Sequence, residues 1–242
     1  MKNKLNEKDL KLLKGKYVDI NSVINKLKNN YPIQYLIGNV DFYGKKICVN
    51  KNVLIPRFET ETLVEKTLHY INKLNLNKGS LLEIGTGSGC ISIIIKSEIP
   101  SLEITAIDIS RKALTLAKKN AKINKVKINF IQKDVFKYNM INNYDVLISN
   151  PPYIKLGDKI DPRTKYEPKT AIYADETGLI YYKKIFEIGK EFLNKKFIIA
   201  LEIEETKGKE LKNIAKEFFP NSKIKIEKDL AGKDRYLFIL SE

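Results

Sequence analysis

Glu83-Ile84-Gly85-Thr86-Gly87-Ser88-Gly89 ends one short apolar run and leads into another. Its three glycines let a backbone turn sharply and come close to a ligand with no Cβ in the way. A loop of this kind between a strand and its helix is where open α/β sheets bind ligands, at the carboxyl ends of the strands. A nicotinamide dinucleotide fingerprint spaces its glycines GxGxxG, whereas here Cys90 takes the final position and the third glycine falls one residue early. The spacing fits S-adenosylmethionine better.

Two carboxylates lie where such a ligand needs acceptors. Asp108 comes 19 residues after Gly89, at the end of the next apolar run, placed to take both ribose hydroxyls in charge-assisted hydrogen bonds. Asp134 ends a third run and suits the adenine amino group, with Val135 or Phe136 against the ring. Each feature alone also reads as a turn or a helix cap. Three of them at the ends of three successive strands favour the cofactor.

A fourth run ends in Asn150-Pro151-Pro152-Tyr153. An Asn oxygen and the Pro151 carbonyl can each accept one N–H of a planar NH₂ group, which fixes the nitrogen and sets partial negative charge beside it. The prolines stiffen the turn and bring no competing donor, and Tyr153 can stack on the acceptor plane. Methyl transfer to an amide or an exocyclic amine needs that alignment, because the nitrogen lone pair is delocalised. Positioning of this kind supplies about 7–11 kcal/mol in favourable cases, so no dedicated base is required. Asn150, Pro151 and Tyr153 are the catalytic candidates, with S-adenosylhomocysteine as the spent cofactor. The tetrapeptide does not separate glutamine from adenine.

The elements that must position these groups follow from the apolar pattern. From Ser80 onward short apolar runs alternate with amphipathic stretches, the form of a parallel sheet covered by helices. Strands are expected over 80–84, 102–107, 126–131, 144–149 and 196–203. Helices are expected over 90–97, from an N-cap at Ser110, and over 179–193 and 210–219. The last two runs, 223–228 and 236–240, are joined by so few residues that they must pair antiparallel. The fold class is therefore α/β, a class I Rossmann-like methyltransferase sheet of seven mostly parallel strands ending in an antiparallel hairpin.

Upstream, residues 41–56 alternate like a small hairpin with a turn at Gly44 or at 50–52. Thr62-Leu63-Val64-Glu65 reads as a capping box for the next helix. The division expected is a short Lys-rich helical segment over 1–38, a linking hairpin over 39–57 and the methyltransferase domain over 58–242.

Composition excludes several classes. There are two cysteines, Cys48 and Cys90, far apart, and one histidine, His69, too few for a disulfide framework or a Cys/His zinc site, and His69 falls among Lys66, Thr67 and Tyr70 on a predicted helix, so a histidine base is not expected. No metal is expected. Cys90 reads as a packing residue and His69 as a surface one. No run is apolar enough for a membrane span or a signal peptide, so a cytoplasmic protein, monomeric, is expected. The charge of +15 comes from lysines spread along the chain, 40 of them beside four arginines. It reads as a diffusely basic surface, with an acidic partner such as a ribosomal complex left open.

The sequence resembles the PrmC/HemK family over about residue 31 to the C-terminus. The resemblance is carried by Tyr31 to Gly38, Phe42-Tyr43-Gly44, Val53 to Glu61, the glycine loop, Asn150 to Tyr153, Tyr166-Glu167-Pro168 and Asp229 to Arg235. It implies N5 methylation of the glutamine in the Gly-Gly-Gln motif of peptide chain release factors. Under it, Glu83, Gly85, Thr86, Gly87, Ser88, Gly89, Asp108, Asp134, Val135 and Asn150 are the cofactor contacts. Asn150, Pro151, Pro152 and Tyr153 hold the glutamine, and Phe42 and Arg57 line or brace its pocket, with core packing and an ion pair as their structural alternatives. The chain departs from the family at Phe58, where proline is usual, and in an N-terminal helical region cut to about 30 residues. An adenine N6 methyltransferase on DNA or RNA and a ribosomal protein glutamine methyltransferase are the alternatives. The flanking motifs favour glutamine.

Overall fold

The computed structural model describes residues 13, 15, 20–137 and 143–241. The helices expected before residue 20 therefore lie outside the described residues except at 13 and 15. Leu13 and Gly15 are helical, and from residue 20 two short helices follow, α1 (Ile20–Lys28) and α2 (Ile33–Ile37), the second closed by Gly38 in a left-handed conformation. A hairpin of β1 (Asn39–Phe42) and β2 (Lys45–Cys48) follows. Its turn is at Tyr43 and Gly44, both at positive φ, and the Gly44 N–H donates to Asp41 Oδ1. The strand pattern expected as far as Pro56 stops at Cys48. The Asn50 side chain accepts the Asn52 N–H, and the Asn50 carbonyl accepts from Val53, so the chain curls into a loop there.

Helix α3 (Phe58–Lys73) begins four residues before Thr62, so the capping box expected at Thr62-Leu63-Val64-Glu65 does not form. No side chain caps this helix at Arg57. Contacts from the far end of the chain hold its first turn instead: the Thr60 hydroxyl donates to Glu202, and the Tyr236 hydroxyl donates to the Glu59 carbonyl. Glu59 and Glu61 still suit the positive end of the helix.

The main sheet is built from β3 (Ser80–Ile84), β4 (Glu103–Asp108), β5 (Asn129–Gln132), β6 (Tyr144–Ser149), β7 (Leu193–Glu202), β8 (Lys223–Lys228) and β9 (Asp234–Ser241). Its order is β5-β4-β3-β6-β7-β9-β8, parallel as far as β7 and antiparallel for β9 against both its neighbours. The crossovers carry α4 (Cys90–Glu98), α5 (Arg111–Ile123), α6 (Ile180–Phe192) and α7 (Gly208–Phe218). Strand β5 is shorter than the apolar run from Val126, because the Val126 N–H closes the last turn of α5 on the Ala121 carbonyl. Among the described residues no helix is long and apolar enough to cross a membrane.

Period-two alternation separates two cores across this sheet. Leu81, Val146, Ile148, Ile198 and Ala200 face α3, α4 and α5, while Leu82, Leu147, Ile199 and Leu201 face α6 and α7. Both faces of the central strands are apolar, as a sheet covered on both sides requires. Cys90 is buried in the first core, where burial pushes its thiol up to about 12. His69 is exposed.

One buried polar side chain fastens the hairpin to the sheet domain. Asn120 of α5 is fully buried, accepts the Cys48 N–H at 2.9 Å and donates to the Cys48 and Ser88 carbonyls at 2.9 Å each. It ties β2 directly to the glycine loop.

Candidate active site

Strand order reverses between β3 and β6, and both strands end on the same side. Crossovers leave them for opposite faces, which opens a crevice at their carboxyl ends. The Ser149 hydroxyl donates to the Ile84 carbonyl at 2.7 Å and holds the two strand ends together at that point.

The glycine loop folds back onto β4. The Gly85 and Thr86 N–H groups share the Ile107 carbonyl, and the Gly87 N–H donates to Asp108 Oδ2 at 2.9 Å. Gly85 and Gly87 have φ of +73° and +54°, and a Cβ on either would point into open space. This is a cradle that strain, not crowding, reserves for glycine. Asp108 Oδ1 accepts the Ser110 N–H at 2.8 Å, so both carboxylate oxygens already hold backbone donors and keep further lone pairs for a ligand. Ser110 also caps α5 by accepting the Ala113 N–H.

A cavity of about 260 Å³ lies over this cradle, and its walls include Gly85, Gly87, Asp108, Asp134, Val135 and Asn150. Phe136 and Tyr181 also line it, with their rings 5.2 Å apart. Two carboxylates, an open glycine cradle and an aromatic pair match a nucleoside with an amino-acid tail. Four of the expected contacts do not reach the cavity wall. Glu83, Thr86, Ser88 and Gly89 are absent from its lining: the side chains of the first three are buried, and the Gly89 backbone packs against α5. Glu83 is 1% exposed and accepts hydrogen bonds from the Thr86 hydroxyl, the Ser92 N–H and the Ser92 hydroxyl, bracing the loop from behind. Gly89 lies against Ala117 of α5, where an added Cβ would meet the Ala117 Cβ at 3.1 Å.

A second cavity, about 330 Å³, opens beyond the tetrapeptide and is lined by Arg57, Tyr153 and Glu202 among others. Asn150, Pro151 and Pro152 line both cavities, as do Leu54 and Ala171, and together they form the partition between them. Tyr153 stands on the second side only, and burial raises its phenol well above the ordinary range, with the Glu202 charge adding to the effect. The Asn150 amide donates through Nδ2 to Thr60 Oγ1 at 3.1 Å. That leaves Oδ1 to accept from an incoming N–H.

Phe42 and Arg57 part company. Phe42 is 1% exposed within the core beneath the hairpin and lines neither cavity, so its side chain packs and does not meet an acceptor. Arg57 lines the second cavity and pairs with Glu167 at 2.6 Å. Glu167 also accepts the Ile55 N–H, so the segment before α3 is buttoned to the loop after the tetrapeptide. Residue type and spacing carry no mark of Thr60, Glu202, Asn120 or Tyr181. Their only sequence signal was the position of Thr60 within the segment from Val53 to Glu61.

Glu83 and Glu202 are both buried, and burial raises each carboxyl from 4.5 to about 7. Each therefore holds its proton more tightly folded than unfolded. Stability is fully present below about 4.5 and falls as pH rises to about 7, by about 3 kcal/mol for each group at most. Urea unfolding of the wild type at pH 5 and pH 8 should show this loss, and Glu83→Gln should remove part of it. A slope unchanged by Glu83→Gln would place the titration elsewhere. Among the described residues no group of three His, Cys, Asp or Glu side chains is gathered to hold a metal.

Comparison with known proteins bears directly on the site. Residues 59–165 match the family model described as methyltransferase small domain. The release factor glutamine methyltransferase of Flavobacterium psychrophilum is 39% identical over 240 residues, which cover 95% of this chain and 82% of that protein. The chain belongs to the release factor glutamine methyltransferase family. A methyltransferase from Pyrococcus furiosus shares the fold, with a TM-score of 0.59 at 17% identity over 91% of this chain and 96% of that one. The plantazolicin methyltransferase BpumL, solved with S-adenosylhomocysteine, matches at a TM-score of 0.52 and 13% identity over 76% of this chain and 85% of its own. Family membership makes this chain an enzyme whose methyl donor is S-adenosylmethionine.

Proposed function

We propose that this methyltransferase acts on the side-chain amide nitrogen (N5) of the glutamine in the Gly-Gly-Gln motif of peptide chain release factors. The observation that carries the reading is the partition formed by Asn150, Pro151 and Pro152 between a cofactor cavity and a second cavity. A side chain entering from the second side meets the Asn150 oxygen and the Pro151 carbonyl, two acceptors for the two protons of an amide NH₂. They hold the nitrogen in line with the cofactor cavity and stabilise the positive charge that develops on it. Tyr153 offers a ring to the amide plane. S-adenosylmethionine supplies an electrophilic methyl group on a sulfonium. In the first cavity Asp108 and Asp134 would hold its ribose and adenine, and the glycine cradle would admit its tail.

The substrate of the Flavobacterium psychrophilum relative supports the choice of glutamine over adenine. Residues 58–242 form the catalytic domain in this reading, and the segment before them borders the acceptor cavity through Leu54 and Arg57. Translation termination takes place in the cytoplasm, so the enzyme works there. Ribosomal components enter as neighbours of the release factor.

Labelled S-adenosylmethionine offered with a release factor, a release factor lacking the Gly-Gly-Gln glutamine, ribosomal proteins and nucleic acid tests the reading. Label is expected in the intact release factor alone. Label in nucleic acid only, or undiminished transfer to the factor without its glutamine, would overturn it.

A further inference from the structure

Thr60 and Glu202 belong to none of the binding roles assigned above, yet both adjoin Asn150. Each is 3% exposed. Glu202 ends β7, the strand beside β6, and lines the second cavity. Thr60 comes from the first turn of α3. The Thr60 hydroxyl donates to Glu202 Oε2 at 2.7 Å and accepts from Asn150 Nδ2 at 3.1 Å.

The order of donors in this chain has a consequence for the amide. A hydroxyl carries one proton, and Thr60 spends it on Glu202, which above pH of about 7 is a carboxylate that can only accept. What Thr60 turns toward Asn150 is a lone pair. The NH₂ end of the Asn150 amide fits there; the flipped amide would set its oxygen against another acceptor inside a buried site, at the cost of unmatched polar groups.

Glu202 is itself held in place. The Tyr182 hydroxyl donates to its backbone carbonyl at 3.0 Å. Just downstream, Arg235 donates to the Ile203 carbonyl and to Glu205, and its Nε donates to Asp229, whose other oxygen accepts the Ala231 and Lys233 N–H groups. The Asp229 to Arg235 segment singled out in the sequence thus fastens the chain that follows Glu202.

We propose that Thr60 and Glu202 are positioning residues that fix the orientation of the Asn150 amide, so that its oxygen faces the acceptor and only a donor-bearing nitrogen is accepted. The inference deepens the proposed function and rests on it for the identity of the acceptor. Neither residue takes part in the chemistry.

Thr60→Val keeps the shape of the side chain and removes the hydroxyl; Thr60→Ser keeps the hydroxyl. Assays run at pH 8, above the value of about 7 to which burial raises Glu202. With a release factor as acceptor, Thr60→Val is expected to lower kcat about a hundredfold, the scale of a misplaced reacting group. KM for the factor and the Kd of S-adenosylmethionine should stay within about twofold, and Thr60→Ser should recover most of kcat, as expected for an effect on orientation alone. The side-chain amide resonances of Asn150, read by NMR without any acceptor, should shift and exchange faster in Thr60→Val than in the wild type or Thr60→Ser. Wild-type kcat in Thr60→Val, or unchanged Asn150 resonances, overturns the positioning role and leaves the proposed function standing. If the wild type transfers nothing to a release factor, the proposed function fails, and the Asn150 resonances alone decide the orientation.

Discussion

Replacing Asn150 with alanine is expected to lower methyl transfer about a thousandfold, the upper range for loss of one preorganised polar group at a reacting centre. The affinity for S-adenosylmethionine should change by no more than about threefold, because most of the cofactor wall does not depend on Asn150. That wall includes Asp108, Asp134, Val135 and the glycine cradle. The large effect has two sources. Alanine removes the acceptor that holds one amide proton, and it leaves the buried Thr60 hydroxyl lone pair without its donor. Single-turnover kinetics with saturating cofactor, beside calorimetric titration of the cofactor, separates the two quantities. An Asn150→Ala enzyme retaining most of its single-turnover rate would take Asn150 out of the mechanism.

Asp108→Ala should act in the opposite sense, weakening S-adenosylmethionine binding about 100-fold or more. Two charge-assisted bonds to a ribose are each worth about 1.5–3 kcal/mol, and a tenfold change in Kd needs about 1.4 kcal/mol. The side chain also holds the Gly87 and Ser110 N–H groups, so its removal loosens the cradle and the start of α5 together. Asp108→Asn should not rescue binding. Its single oxygen can replace only one of the two carboxylate oxygens, and its NH₂ would then confront the N–H of Gly87 or Ser110. Equilibrium titration of both variants provides the check. A Kd for Asp108→Asn within about threefold of the wild type would show that the carboxylate is not the ribose acceptor.

Much of this site could be read before any tertiary contact was known, because its parts are short and local. The strand ends at Ile84, Asp108 and Ser149 fall within a residue of those read from the apolar runs. A run that must be covered on both faces is nearly all apolar, and the residue that follows it is polar. Asp108, Asn150 and the glycines stand at or just after those ends, so the candidate site residues and the strand boundaries are read together. Ser110 could be named as a cap for the same reason, since its partner is only three residues away.

Longer-range features were out of reach. The capping box at Thr62 was good local chemistry, but bonds from Glu202 and Tyr236 started α3 a turn earlier. Phe42 lies in a segment shared with the family, and whether it faced a ligand or the core depended on how the hairpin docks through Asn120. Arg57 and Glu167 are 110 residues apart and form one pair. Residue type alone does not say which of 44 basic side chains meets which acid.

The sequence by itself determined the fold class and set the glycine loop and the Asn150 to Tyr153 tetrapeptide at the ends of strands, since each depends on backbone freedom, rigidity or apolar period within a few neighbours. Tertiary structure alone decided that the Asn150 amide meets a Thr60 hydroxyl already bonded to Glu202, that Glu83 supports the loop from behind and that Phe42 belongs to the core. Those outcomes depend on which buried polar groups find partners across the sheet, and burial exists only once distant segments have packed.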